Sequence, residues 1–147
     1  MLHVRFALAL AVGLLTLPAG GRQADAAPVT LGEVTSSVSR PNLDVQDALR
    51  RLATSELGRV DLRGARRGHW VLSVTLLRME TRLEERRART TCVVSAMLRS
   101  ERGGELHAIL GGRAELEDAP RSVRALELGA LRVAVHGAVG RVPDALR

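Results

Sequence analysis

The sequence predicts an α+β domain: a three-stranded antiparallel β-meander with an amphipathic helix before and after it, both packed on one sheet face. Three observations carry this expectation. The stretch "LDVQDALRRLATSELG" repeats apolar residues at helical spacing. Three segments rich in alternating or β-branched residues follow, joined by short links. The carboxyl end then returns to a helical stripe built from Ala, Leu and Val. A chain of 147 residues provides for about one such domain.

The first element is a leader. An apolar run at 6–17 follows His3 and Arg5, and Ala24-Asp25-Ala26 offers a small-x-small cleavage site. This is the layout of a secretory signal peptide over 1–26, cut after Ala26. The rival reading is an uncleaved amino-terminal anchor, for which the run falls short of the ~20 residues a spanning helix needs. "LTLPAGG" resembles the recognition box of bacterial lipoproteins, but Gly21 stands where the acylated cysteine belongs. The resemblance therefore implies no lipid anchor. The expected product is exported, periplasmic or extracellular, with no stable membrane span after cleavage.

Residues 27–43 read as an extended arm rich in Ser, Thr, Gly and Pro, with room for a short edge strand at 29–34. A single α+β domain is expected over 44–147. Its first helix is predicted at 44–57, with Val45, Ala48, Leu49, Leu52 and Ala53 on one face, Asp44 as N-cap and Gly58 as the stop. A brief strand at 60–62 is a further option. The meander strands are placed at 70–80, 89–100 and 105–117, with turns near Glu84–Glu85 and Arg102–Gly103. The last helix is placed at 124–142, because Pro143 disfavours helix in the residue before it. The order is loosely similar to that of small bacterial envelope accessory domains.

Composition narrows the partners. All 22 basic residues are arginine, and the formal net charge is +6. A GC-rich coding bias explains the arginines without function. The functional alternative is a surface that grips phosphate or carboxylate bidentately. For an exported chain those anions belong to lipid headgroups or glycans. Nucleic acid is not expected, because Trp70 is the one aromatic beyond the leader and base-stacking platforms need several.

No catalytic set is legible. Cys92 is the one cysteine, set mid-strand in "TTCVVS", and reads as a small core residue rather than a nucleophile. The expected register places it opposite about Leu77 and Gly111, which leaves His69 ~26 Å and His107 ~13 Å away along the strands. The histidines lack zinc-site spacing, so no metal and no cofactor are expected. Gly111-Gly112 lacks a phosphate-loop pattern and is expected to mark the crossing of the last helix. Glu115, Glu117 and Asp118 read as a solvated strand end.

Two arginine clusters remain as a candidate contact surface: Arg63, Arg66 and Arg67 with Trp70, and Arg82, Arg86, Arg87 and Arg89, the latter mixed with Glu80, Glu84 and Glu85 in what otherwise reads as a solvated hairpin tip. The apolar residues of the strands fall on both faces, as in Val71 and Leu77 against Leu72, Val74 and Leu76. The face opposite the helices is therefore expected to be partly apolar, covered by the 28–42 arm or by another subunit. The expected function is a non-enzymatic, exported interaction or envelope-accessory protein, engaging a protein partner or a second copy through that face. The alternative is an arginine-mediated binder of anionic lipid or glycan.

Overall fold

The computed structural model describes residues 28–41 and 43–147, so the leader reading lies outside the described residues. Eight elements follow one another: β1 (Val29–Ser36), α1 (Val45–Leu57), β2 (Trp70–Glu84), β3 (Arg87–Ser100), β4 (Leu106–Asp118), a 3₁₀ turn (Pro120–Ser122), α2 (Val123–Val139) and α3 (Val142–Ala145). The fold is α+β, with α1 and α2 laid on one face of the sheet. None of the described helices is long and apolar enough to cross a membrane.

The sheet has four strands in the order β1-β2-β3-β4, not three. Strands β2, β3 and β4 form the expected antiparallel meander, but β1 pairs with β2 in parallel, which makes the sheet mixed. The stretch expected as an arm thus supplies a strand, and it lies at the sheet edge rather than over the open face. The reason is connectivity. A strand followed by a helix that packs back on the sheet returns parallel to its start, and α1 is that crossover. The short edge strand offered at 29–34 is present and runs on to Ser36; Val29, Leu31 and Val34 point toward the core because a bulge between Leu31 and Val34 resets the alternation.

Helix α1 begins where the sequence places it. The Asp44 carboxylate accepts the Asp47 backbone N–H at 2.9 Å, satisfying one of the free donors of the first turn. Its face of Val45, Ala48, Leu49 and Ala53 is buried. The 60–62 segment forms no strand. The hairpins are longer than expected, because charged residues at 81–88 continue β2 and β3 to a turn at Glu85–Arg86.

The register of Cys92 is corrected accordingly. It faces Met79 and Ala114 rather than Leu77 and Gly111. The first turn falls one residue later than expected. The second is centred on Gly103 and Gly104, both at positive φ, where glycine alone avoids the steric cost.

Helix α2 crosses the sheet at Gly112. A Cβ there would sit inside the shell of the Ala134 carbonyl oxygen and 2.8 Å from Ala138 N, so backbone lies on backbone. Gly111 points to the opposite face, where an added Cβ meets nothing within 4 Å. The paired glycines therefore mark the helix crossing, as their sequence suggested. The helix stops at Val139 rather than 142, and Gly140 N–H closes on the His136 carbonyl at 2.9 Å. Pro143 does not merely follow a helix. It occupies the first turn of α3, where its missing N–H costs nothing. That short helix seats Leu146 in the core.

Candidate functional site

The two arginine clusters do not meet. Trp70 and Arg82 lie at opposite ends of β2, roughly 40 Å apart at strand rise. At the Trp70 end, Arg63 is engaged locally. Its guanidinium donates to both Asp61 carboxylate oxygens, through Nε at 2.9 Å and Nη2 at 2.8 Å. That donation, reinforced by the Arg63 backbone N–H, lowers the Asp61 carboxyl to about 2. Arg66 contributes its backbone, donating N–H to the Leu146 carbonyl and tying the loop to the carboxyl end.

Trp70 is half-buried against the core, with its ring 4.6 Å from that of His107. His107 Nε2 in turn lies 2.8 Å from the Ala145 carbonyl. The indole Nε1–H is buried without a hydrogen-bond partner among the described residues. This ring is a packing piece that joins β2, β4 and the carboxyl end.

The second cluster belongs to a larger pattern on the helix-free face. In β2 the outward residues run Arg78, Glu80, Arg82 and Glu84, and in β4 they run Arg113, Glu115 and Glu117. Between them β3 presents Arg87, Arg89, Thr91 and Val93. Arg89 bridges to Glu117 at 3.0 Å and to Glu115 at 3.5 Å, while Arg87 reaches Glu117 at 2.7 Å. Arg78 pairs with Glu80 at 3.1 Å. Hydrogen bonds from Arg87 and Arg89 hold the Glu117 carboxyl below its usual range.

Arginine and glutamate nearly balance over this grid, which extends the mixed charge of the stretch 80–89 across three strands. Arg82 sits directly opposite Arg89 across the β2–β3 ladder, and Arg86 occupies the turn. Neither has an ion-pair partner among the described residues. Sequence reasoning missed Arg78 and Arg113, and read Glu115 and Glu117 as a strand end. The available signal was alternation: Arg-x-Glu-x-Arg at 78–82 and Arg-x-Glu-x-Glu at 113–117 put like positions on one face.

Toward the Trp70 end the same face turns neutral and apolar. Ser73 lies across from Met97, Thr75 from Ser95, and Met97 from Ile109. Ile109 is 64% exposed and Leu106 50%, high values for large apolar side chains. No described helix or strand covers this surface.

The helix side carries two polar links. Glu127 of α2, nearly buried, accepts from Arg40 Nε at 3.1 Å and from Thr81 at 2.8 Å. Thr81 and Thr90 are joined at 2.8 Å, and Arg40 also donates to the Met79 carbonyl. Glu56, at the end of α1, lies 2.9 Å from His136 Nδ1 and pairs with Arg59 at 3.1 Å. The first link ties α2 and the segment before α1 to β2 and β3, the second ties α1 to α2, and each carboxylate is satisfied.

Cys92 is fully buried beneath the helices, and desolvation pushes its thiol up to about 12. His69 adjoins the start of β2, ten residues from Met79, or roughly 30 Å along the strand. His107 is seven residues from Ala114, roughly 23 Å. No thiol–imidazole pair forms among the described residues. Among the described residues, no three His, Cys, Asp or Glu side chains converge as metal ligands.

No protein-family model matches the sequence, and no curated protein matches it. Solved structures do. A Xanthomonas campestris protein of the DUF330 family is similar, at 14% identity, with 80% of this chain and 83% of that one covered and a TM-score of 0.60. A hypothetical protein of Chlamydia trachomatis is similar at 10% identity, covering 80% and 96%, with a TM-score of 0.53. A Caulobacter crescentus chain described as a candidate lipoprotein matches at 15% identity over 81% and 87%, with a TM-score of 0.49. At these identities the likeness is one of fold: this chain shares the helix-backed sheet of the DUF330 protein.

Proposed function

We propose that this protein is an exported, non-enzymatic interaction protein of the bacterial envelope, which engages a protein partner through the helix-free face of its sheet. One observation carries the reading: that face keeps Leu106 and Ile109 exposed, and Met97 partly so, beside an ion-paired Arg/Glu grid. An apolar core beside a polar rim is the anatomy of a protein–protein interface. The leader at 1–26 supplies the compartment. Ion pairing favours a protein over a uniformly anionic surface, since a near-neutral grid recognises complementary charge in both signs. Binding of anionic lipid or glycan is left to Arg82 and Arg86, which have no ion-pair partner among the described residues.

The test is photo-cross-linking in the native host from position 97 on the open face, with position 132 on the exposed side of α2 as control. A defined heterologous adduct from 97 and none from 132 is the expected result. Equal labelling at both positions, or none at 97, overturns the reading. Vesicles containing anionic lipid that bind the purified protein, and lose it when Arg82 and Arg86 are replaced by Glu, would instead support the lipid alternative.

A further inference from the structure

The two edges of the sheet differ. Strand β1 is eight residues long and interrupted by the bulge between Leu31 and Val34, a device that blunts an edge against further pairing. Strand β4 is thirteen residues long, carries no proline, and keeps unbroken register with β3 from Asp118 to Ala108. Beyond it no described strand pairs. Such an edge is a template for an added strand.

The side chains of β4 say which strand fits. Antiparallel pairing of β4 with itself about a two-fold axis at Ala114 places Arg113 opposite Glu115 of a second copy, and Glu115 opposite its Arg113. Moving the axis to Arg113 sets two arginines against each other, and moving it to Glu115 sets two glutamates. Only the Ala114 axis opposes unlike charges on both sides without a like-charge pair, and it overlaps residues 110–118 of each chain. Within one copy the Arg113–Glu115 pair is the longest on the grid, at 3.9 Å, and Arg113 is 73% exposed, so its guanidinium is available.

The helix above agrees with this arrangement. Gly129 lies against Leu116 and Gly137 against Gly112, which puts the row Gly129, Val133, Gly137 on the β4 side of α2. Val133 is exposed there. Two such helices seated over β3 and β4 approach to about one helix diameter, ~10 Å, across the axis, where small side chains permit contact.

We propose that two copies of this chain associate through β4 in this register, forming a continuous eight-stranded sheet. This edge is distinct from the open face assigned above to a different partner, so either can fail alone. Sedimentation of the purified protein at low salt tests it. The wild type is expected at twice the monomer mass. Arg113→Glu or Glu115→Arg alone turns both symmetry-related pairs repulsive and weakens association by about tenfold or more. The double exchange R113E/E115R restores it to near the wild-type value. Circular dichroism matching the wild type establishes that each variant is folded. A wild type that stays monomeric at all concentrations overturns the assignment and leaves the edge to a strand of another chain. A dimer indifferent to the single reversals, or one that the double exchange fails to restore, overturns it equally.

Discussion

Replacing Gly112 with alanine adds one methyl group where α2 touches the sheet backbone to backbone. The new Cβ would lie 2.8 Å from Ala138 N and 2.9 Å from the Ala134 carbonyl carbon, with the carbonyl oxygen closer still. Comfortable contacts lie near 3.5–4.0 Å, and the carbonyl oxygen is the tightest, so the helix must retreat by more than about 1 Å, a gap that forfeits about half or more of each lost dispersion contact. Ala130, Leu131, Ala134, Val135 and Ala138 are all fully buried on that face and share the loss. Overpacking costs about 1–3 kcal/mol, and a clash with backbone rather than a flexible side chain belongs at the upper end, about 3 kcal/mol.

For a domain of this size that corresponds to a fall in Tm of roughly 10–15 °C. The assay is urea unfolding followed by circular dichroism and by Trp70 fluorescence. Gly111→Ala is the internal control, since its Cβ meets nothing within 4 Å on the open face. It is expected to be neutral or mildly stabilising, by up to about 1 kcal/mol through loss of unfolded-state freedom. If Gly112→Ala unfolds within about 0.5 kcal/mol of the wild type, or Gly111→Ala costs as much, the backbone-crossing argument is refuted.

Other consequences are open to direct measurement. Glu127→Ala removes the carboxylate that Arg40 and Thr81 share, and is expected to destabilise by about 2–3 kcal/mol; the Arg40→Ala/Glu127→Ala double variant should cost less than the sum of its parts, and strict additivity in denaturation would count against the network. Asp61 should titrate near 2 by carboxyl NMR, and Arg63→Ala should return it toward 3.8. Because the folded value is depressed, any stabilisation by this pair is present above pH 3.8 and is lost as pH falls through about 2. Cys92, buried with its thiol raised to about 12, should resist thiol reagents at pH 8 in the folded protein and react only on unfolding. Fast labelling under native conditions would contradict that burial.

By itself the sequence determined the periodic parts of this protein. The stripe of Val45, Ala48, Leu49 and Ala53 and the cap at Asp44 specify α1 locally, because a helix closes its hydrogen bonds within a few residues. The runs around Val74 and Val94 specify the meander for a similar reason: short links leave few ways to pair. Even the crossing at Gly111-Gly112 was legible, since consecutive glycines inside a strand imply close backbone approach.

Only the tertiary structure decided the rest. A short edge strand at 29–34 was legible, but its parallel pairing with β2 after a helical crossover was not, because the partner lies some forty residues away. The stretch 80–89 reads as a mixed-charge hairpin tip along the chain, and only the fold brings Glu115 and Glu117 to its arginines from a strand near thirty residues later. Charge along a chain is additive, but the potential of a surface depends on which strands lie side by side. That arrangement makes the hairpin tip part of a near-neutral grid, and leaves β4 as the edge whose Arg-x-Glu pattern complements itself.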